Sequence, residues 1–188
     1  MNKRELLQKY ADGERNFRSV NLRKVNLADV DLAGANLAGA RLNEANLSGA
    51  DLAGANLVEA SLIKADLLDA NLSGADLTGA NLSGSNMTRA NLRDANITVA
   101  DLARVDLHDA DLTGADLAGT YLGGSNLTGA DLTEVSLTGS SLYCAKLVNT
   151  NLAGACLRRA DLRGADLTGA DLTGADLVGA KIDKGKKQ

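Results

Sequence analysis

The chain has 188 residues, enough for one ordinary domain, and a formal net charge of −4. That balance is too mild for a polyanionic tail and opposite in sign to that of a nucleic-acid binder, so no direct nucleic-acid binding is expected. Aromatic residues make up only 2% and proline is absent, so Leu and Ala must fill the core of a fold that keeps its backbone N–H donors.

At the start, Met1 to Tyr10 is charged and lacks the apolar stretch of a signal peptide. No run of about 18 apolar residues follows anywhere, so no membrane span is expected. With only two cysteines, a reducing, cytoplasmic location is the expectation. Residues Lys3 to Ala11 read as a short helix: Asn2 serves as N-cap with Glu5 three residues on, Leu6, Leu7 and Tyr10 share a face, and Asp12-Gly13 stops it.

From Phe17 to Ile182 every fifth residue is large and apolar, thirty-four times without a slip. Thirty of these are Leu, the others being Phe17, Met87, Ile97 and Ile182. Two residues earlier stands a small residue, Ala, Val, Ser or Thr, with Arg15 the exception, and between the two lies Asn or Asp in most repeats. Gly closes seventeen of the repeats, as in Ala165-Asp166-Leu167-Thr168-Gly169.

A period of five fits neither regular element. On an α-helix the Leu stripe would drift around the whole surface, and on a flat strand an odd period sends successive Leu to opposite faces. The pattern makes sense if the chain turns a corner in every repeat, so that each Leu and each small residue points to a common axis. Gly supplies positive φ at the corner, and Asn and Asp favour turns through side-chain bonds to the backbone.

The A-(D/N)-L-x-G unit resembles the pentapeptide-repeat family over nearly the whole chain. The resemblance implies an all-β fold, a right-handed quadrilateral (square) parallel β-helix solenoid with four pentapeptides per coil. The helix before the repeats, with the following Gly13-Glu14-Arg15-Asn16-Phe17, resembles the N-terminal cap of cyanobacterial members. The expected organisation is a helical cap over residues 1–14, about 8.5 coils over 15–184 in a rod about 40 Å long, and a flexible basic tail over 185–188. At the C-terminal end, either the tail folds over Leu172, Leu177 and Ile182, or two molecules meet end to end there, as some family members do; a monomer and an end-to-end homodimer are both open.

With twenty residues per coil, outward positions twenty apart stack on one face. The face that starts at Leu32 and repeats to Leu172 has an unbroken Asn/Asp column and is the most acidic; the Leu27 and Leu37 faces are also acidic. The fourth, from Leu22 to Ile182, is basic: it carries Arg23, Lys24, Arg41, Lys64, Arg104, Arg163, Lys181 and Lys184 against Glu44, Asp101, Asp161 and Asp183. It also holds Arg41, Ser61, Tyr121, Ser141 and Lys181 where Asn or Asp is the rule. Exposed Tyr and Arg are the types enriched at binding hot spots, so Arg41, Lys64, Arg104, Tyr121, Ser141, Tyr143, Cys144 and Arg163 form the candidate protein-binding face.

No catalytic constellation stands out. His108, the single histidine, reads as a surface residue between Asp106 and Asp109. Cys144 and Cys156 fall on different faces, which argues against a disulfide or shared metal. No cofactor or metal is expected. The leading expectation is a non-catalytic scaffold for a protein partner that the sequence does not identify. The alternative implied by the resemblance is a DNA-mimicking rod that binds DNA gyrase and protects it from quinolones.

Overall fold

The computed structural model describes residues 1–183; the expected tail, and Lys184 of the basic face, lie outside the described residues. One α-helix, α1 (Lys3–Ala11), precedes the repeats. Asn2 is its N-cap and accepts from the Glu5 N–H at 2.9 Å, as the sequence predicts. Leu6 is fully buried, and Tyr10 donates its hydroxyl to the Ala33 carbonyl at 2.8 Å, so the helix is fastened onto the first coils. The Arg15 guanidinium covers the Tyr10 ring, 3.7 Å from its centre.

Every later repeat is one parallel bridge and one turn. Bridges join the residue before each large apolar one to its counterpart twenty ahead without interruption, from Asn16↔Asn36 to Asp161↔Lys181. The chain therefore returns to the same register after four pentapeptides, with no insertion. Each bridge is an isolated pairing, so the ladder runs along the rod through one residue per repeat and not through long strands.

Each interior repeat with Asn or Asp before its large apolar residue satisfies its main chain in full. In 50–54, Ala50 N–H closes the preceding turn on Leu47 O, Asp51 N–H reaches back to Val30 O, and Leu52 and Gly54 donate forward to Asn71 O and Ser73 O. The fifth donor, Ala53 N–H, is answered by Asp51 Oδ1 at 2.9 Å. This is why a β-fold can be built from bridges one residue long: in such a repeat no N–H is left over.

The turn residue has positive φ in all thirty-three repeats whose turn is described, whatever its type. The repeat glycines lie between 62° (Gly74) and 75° (Gly179), and sixteen other residues adopt the same conformation, from Val99 at 52° to Lys24 at 59°. A turn with positive φ only at its third residue is of type II. The interior is a column of Leu rows alternating with Ala rows, buried from Phe17 to Leu162. At the far end Leu162 N–H makes the last forward bond of its kind, to Lys181 O. Leu167, Leu172 and Leu177 are half-buried there, and Val178 and Ile182 are exposed.

Candidate interaction face

The Asn or Asp before each Leu makes the outer skin of the rod. From Asn21 to Asp176, every Asn and Asp in this position accepts from the N–H two residues on, an Asx turn. Four also bond to the Asx side chain one coil before, as Asn71 Nδ2 does to Asp51 Oδ1 at 3.0 Å and Asn91 Nδ2 to Asn71 Oδ1 at 3.1 Å on the acidic face.

On the basic face this skin is broken. With Arg41, Ser61, Tyr121 and Ser141 in the Asx position, the N–H groups of Asn43, Ile63, Gly123 and Tyr143 have no acceptor among the described residues. The breaks on this face come in two pairs on consecutive coils, since Arg41 bridges Ser61 and Tyr121 bridges Ser141; a third such pair, Ser136 and Cys156, lies on the Leu37 face, and a single break at Lys146 lies on the Leu27 face.

Six of the eight candidate residues are brought together. Arg104 N–H donates to Gly123 O at 3.0 Å and Cys144 N–H to Arg163 O at 3.0 Å, so Arg104, Tyr121, Ser141, Tyr143, Cys144 and Arg163 lie on successive coils of one face. Arg41 and Lys64 belong to the same face but stand apart, separated from the tyrosines by the regular repeats of Asn81 and Asp101. Tyr121 and Tyr143 are each 51% exposed. Cys144 is free and exposed; its side-chain hydrogen bond, and then its charge, push the Tyr143 hydroxyl above its ordinary pKa.

The charge of this face is smaller than its residue count suggests. Lys24 and Arg23 are both spent on Glu44, at 3.3 and 3.9 Å. Arg163 clamps Asp161 through Nε to Oδ1 at 2.8 Å and Nη2 to Oδ2 at 2.5 Å. That clamp, with help from the Arg163 N–H and the nearby charges and against some burial, pulls the Asp161 carboxyl down to about 2. Arg41, Lys64 and Arg104 make no ion pair in the described structure. On the other faces Arg89 is answered by Asp69, Arg93 by Asp111 and Arg158 by Asp176, while Lys146 and Arg159 make no ion pair among the described residues.

Gly123 is the residue that sequence reasoning passed over. A Cβ there would lie 2.8 Å from both Cζ and Oη of Tyr121, so the outer end of the ring reaches over it. Its φ is not positive, so the glycine serves the ring and not the turn. The available signal was that no other repeat has Gly directly after its large apolar residue.

His108 is fixed by Thr128 O at 2.8 Å and Asp109 Oδ2 at 3.2 Å, with no hydroxyl nucleophile at either nitrogen. Cys156 faces Thr138 Oγ1 at 3.2 Å, and both cysteines are free.

A single chain winding as a parallel-bridged coil of four five-residue turns defines a β-helical solenoid, and comparison with known proteins gives its class. The family model for pentapeptide repeats matches over residues 16–49, 40–79, 70–109, 106–143 and 145–182. The chain belongs to the pentapeptide-repeat family, whose members form right-handed β-helices. Among solved structures it is similar to HetL, a pentapeptide repeat protein involved in heterocyst differentiation regulation in the cyanobacterium Nostoc sp. strain PCC 7120, with 34% identity over 100% of both chains and a TM-score of 0.42. It is also similar to alr5209, another pentapeptide repeat protein of Nostoc PCC 7120, with 41% identity over 53% of this chain and 80% of that one and a TM-score of 0.51. QnrB1, a plasmid-mediated fluoroquinolone resistance protein, shares the fold at a TM-score of 0.60 and 20% identity over 89% of this chain and 91% of that one. No curated protein sequence matches. No helix among the described residues is long and apolar enough to cross a membrane.

Proposed function

We propose that this protein is a non-catalytic interaction rod, a square-sectioned right-handed solenoid (residues 15–184) with a helical cap (1–14), acting in the cytoplasm. It holds a protein partner on its basic face, through Tyr121, Tyr143 and Arg104 at the centre and Arg41 and Lys64 further along. The observation that carries this reading is the half-exposed pair Tyr121 and Tyr143 on adjacent coils. Exposed tyrosines cost little entropy to immobilise and are enriched where proteins bind. Affinity capture from the native cell tests it. Wild-type protein retains a partner that Tyr121→Asp with Tyr143→Asp loses; equal retention by both would discard the face.

A second reading, gyrase binding by DNA mimicry, is favoured by the acidic face, where Asp31 stacks on Asp51 and Asp111 on Asp131. A supercoiling assay with and without ciprofloxacin decides it, since neither inhibition nor protection at micromolar protein would end the idea. The half-buried Leu172 and Leu177 at the C-terminal end are the surface through which two copies would meet end to end, and sedimentation velocity distinguishes that dimer from a monomer.

A further inference from the structure

In regular repeats the N–H after each Leu donates to an Asx oxygen on the outside of the coil, as Thr133 N–H does to Asp131 Oδ1 at 2.9 Å and Ala103 N–H to Asp101 Oδ1 at 3.0 Å. At Tyr121 and Ser141 that oxygen is missing on two consecutive coils. The Gly123 and Tyr143 donors therefore address positions about 4.8 Å apart, both of which a carboxylate or carboxamide occupies elsewhere on the rod.

What surrounds these donors selects for negative charge with an apolar companion. Arg104, with no ion pair of its own, is tied to Gly123 O through its N–H. Of the acids bracketing the patch, Asp161 is neutralised by Arg163, while Asp101 and Asp183 accept from the Ala103 and Gly164 N–H groups and keep their charge. The Tyr121 ring, its outer end over Gly123, and the half-exposed Tyr143 ring supply an aromatic shelf. The second pair of unanswered donors, Asn43 and Ile63, lies along the same face beside Arg41 and Lys64.

We infer that the basic face takes an acidic polypeptide segment, one carboxylate of which accepts from the Gly123 and Tyr143 N–H groups in place of the missing Asx oxygens, while an apolar side chain rests on Tyr121 and Tyr143. This inference rests on the reading of that face as the contact surface. A polypeptide suits the site better than a nucleic acid, because it can bring one carboxylate and one apolar side chain to the patch, whereas a phosphate backbone carries a charge on every unit past three acidic faces.

The test uses the full chain in amide-correlation NMR, titrated with a capped peptide of alternating Glu and Phe, its Gln counterpart, and a thymidine oligonucleotide. A double variant, Tyr121→Asn with Ser141→Asn, restores the Asx acceptors and regularises two repeats, so it keeps the fold. The Glu peptide is expected to shift the Gly123 and Tyr143 amides downfield and to bind about tenfold tighter than the Gln peptide, a preference the double variant loses. Shifts on this face without preference for Glu would overturn the acidic partner but leave the contact surface standing. Tighter binding of the oligonucleotide would overturn it in favour of phosphate, and shifts confined to other faces would overturn both readings.

Discussion

Tyr121 lies across Gly123, two residues further along the same repeat, so closely that a methyl group on Gly123 would meet the end of the ring. Because Gly123 has ordinary φ, alanine is compatible with its backbone, and only the outer end of a mobile side chain must move. Gly123→Ala is therefore expected to unfold at the same denaturant midpoint or slightly higher, within about 1 kcal/mol, while shifting the Tyr121 ring resonances. A loss above about 2 kcal/mol would show that the ring supports the fold, and not only its surface.

Two interior positions carry an avoidable penalty. Ser85 and Ser125 sit in the column otherwise filled by Ala and Val, and their hydroxyls have no hydrogen-bond partner. Ser140 and Thr120, in the equivalent position, each donate to a carbonyl three residues back. Ser85→Ala and Ser125→Ala should each stabilise by about 1 kcal/mol, and additively, being two coils apart. Thermal melting checks this, with Ser140→Ala expected to show no such gain.

Val99 holds a β-branched side chain at φ 52°, a conformation that crowds its branches against the main chain. Val99→Asn is expected to raise stability by about 1 kcal/mol. Gly119→Ala, one coil on at φ 68° with Val99 Cγ1 3.3 Å from the new methyl, should lower it by a similar amount or more. Equal midpoints for all three proteins would mean that the turn imposes no strain.

Asp161 offers a pH readout of the basic face. Its folded pKa, about 2, lies below the ordinary carboxyl value of about 3.9. The Arg163 clamp therefore favours the folded state above about pH 4, and that contribution fades as pH falls toward 2. Carboxyl-carbon NMR should give a wild-type midpoint near 2 that moves up into the usual Asp range in Arg163→Met; a wild-type midpoint near 4 would show that the clamp does not form in solution.

Much of this architecture is legible in the chain because the interior repeats in chemistry as well as in spacing. Leu at every fifth position with a small residue two before it leaves one arrangement that buries both, and the helix at Lys3–Ala11 is announced by Asn2 and Asp12-Gly13. The turn conformation at Val99 or Arg104 is not legible locally. Neither residue favours positive φ, and the stacked coils impose it. On the surface, the sequence shows which cations share a face but not which are already paired: Arg163 and Arg104 look alike until Asp161 is seen to engage one and not the other. Nor does it show that Tyr121 and Ser141, by lacking an Asx oxygen, leave two main-chain donors open.

The unbroken twenty-residue register makes the molecule a combination lock. Removing twenty residues from the interior would shorten it by about 4.8 Å and leave every outward column aligned. Removing five would preserve the Leu core equally well, yet turn everything beyond the cut by one face, carrying Tyr121 and Tyr143 away from Lys64 and Arg41. Descendants of this chain can thus grow or shrink by single repeats without unfolding, but only whole coils keep the outer surface in phase.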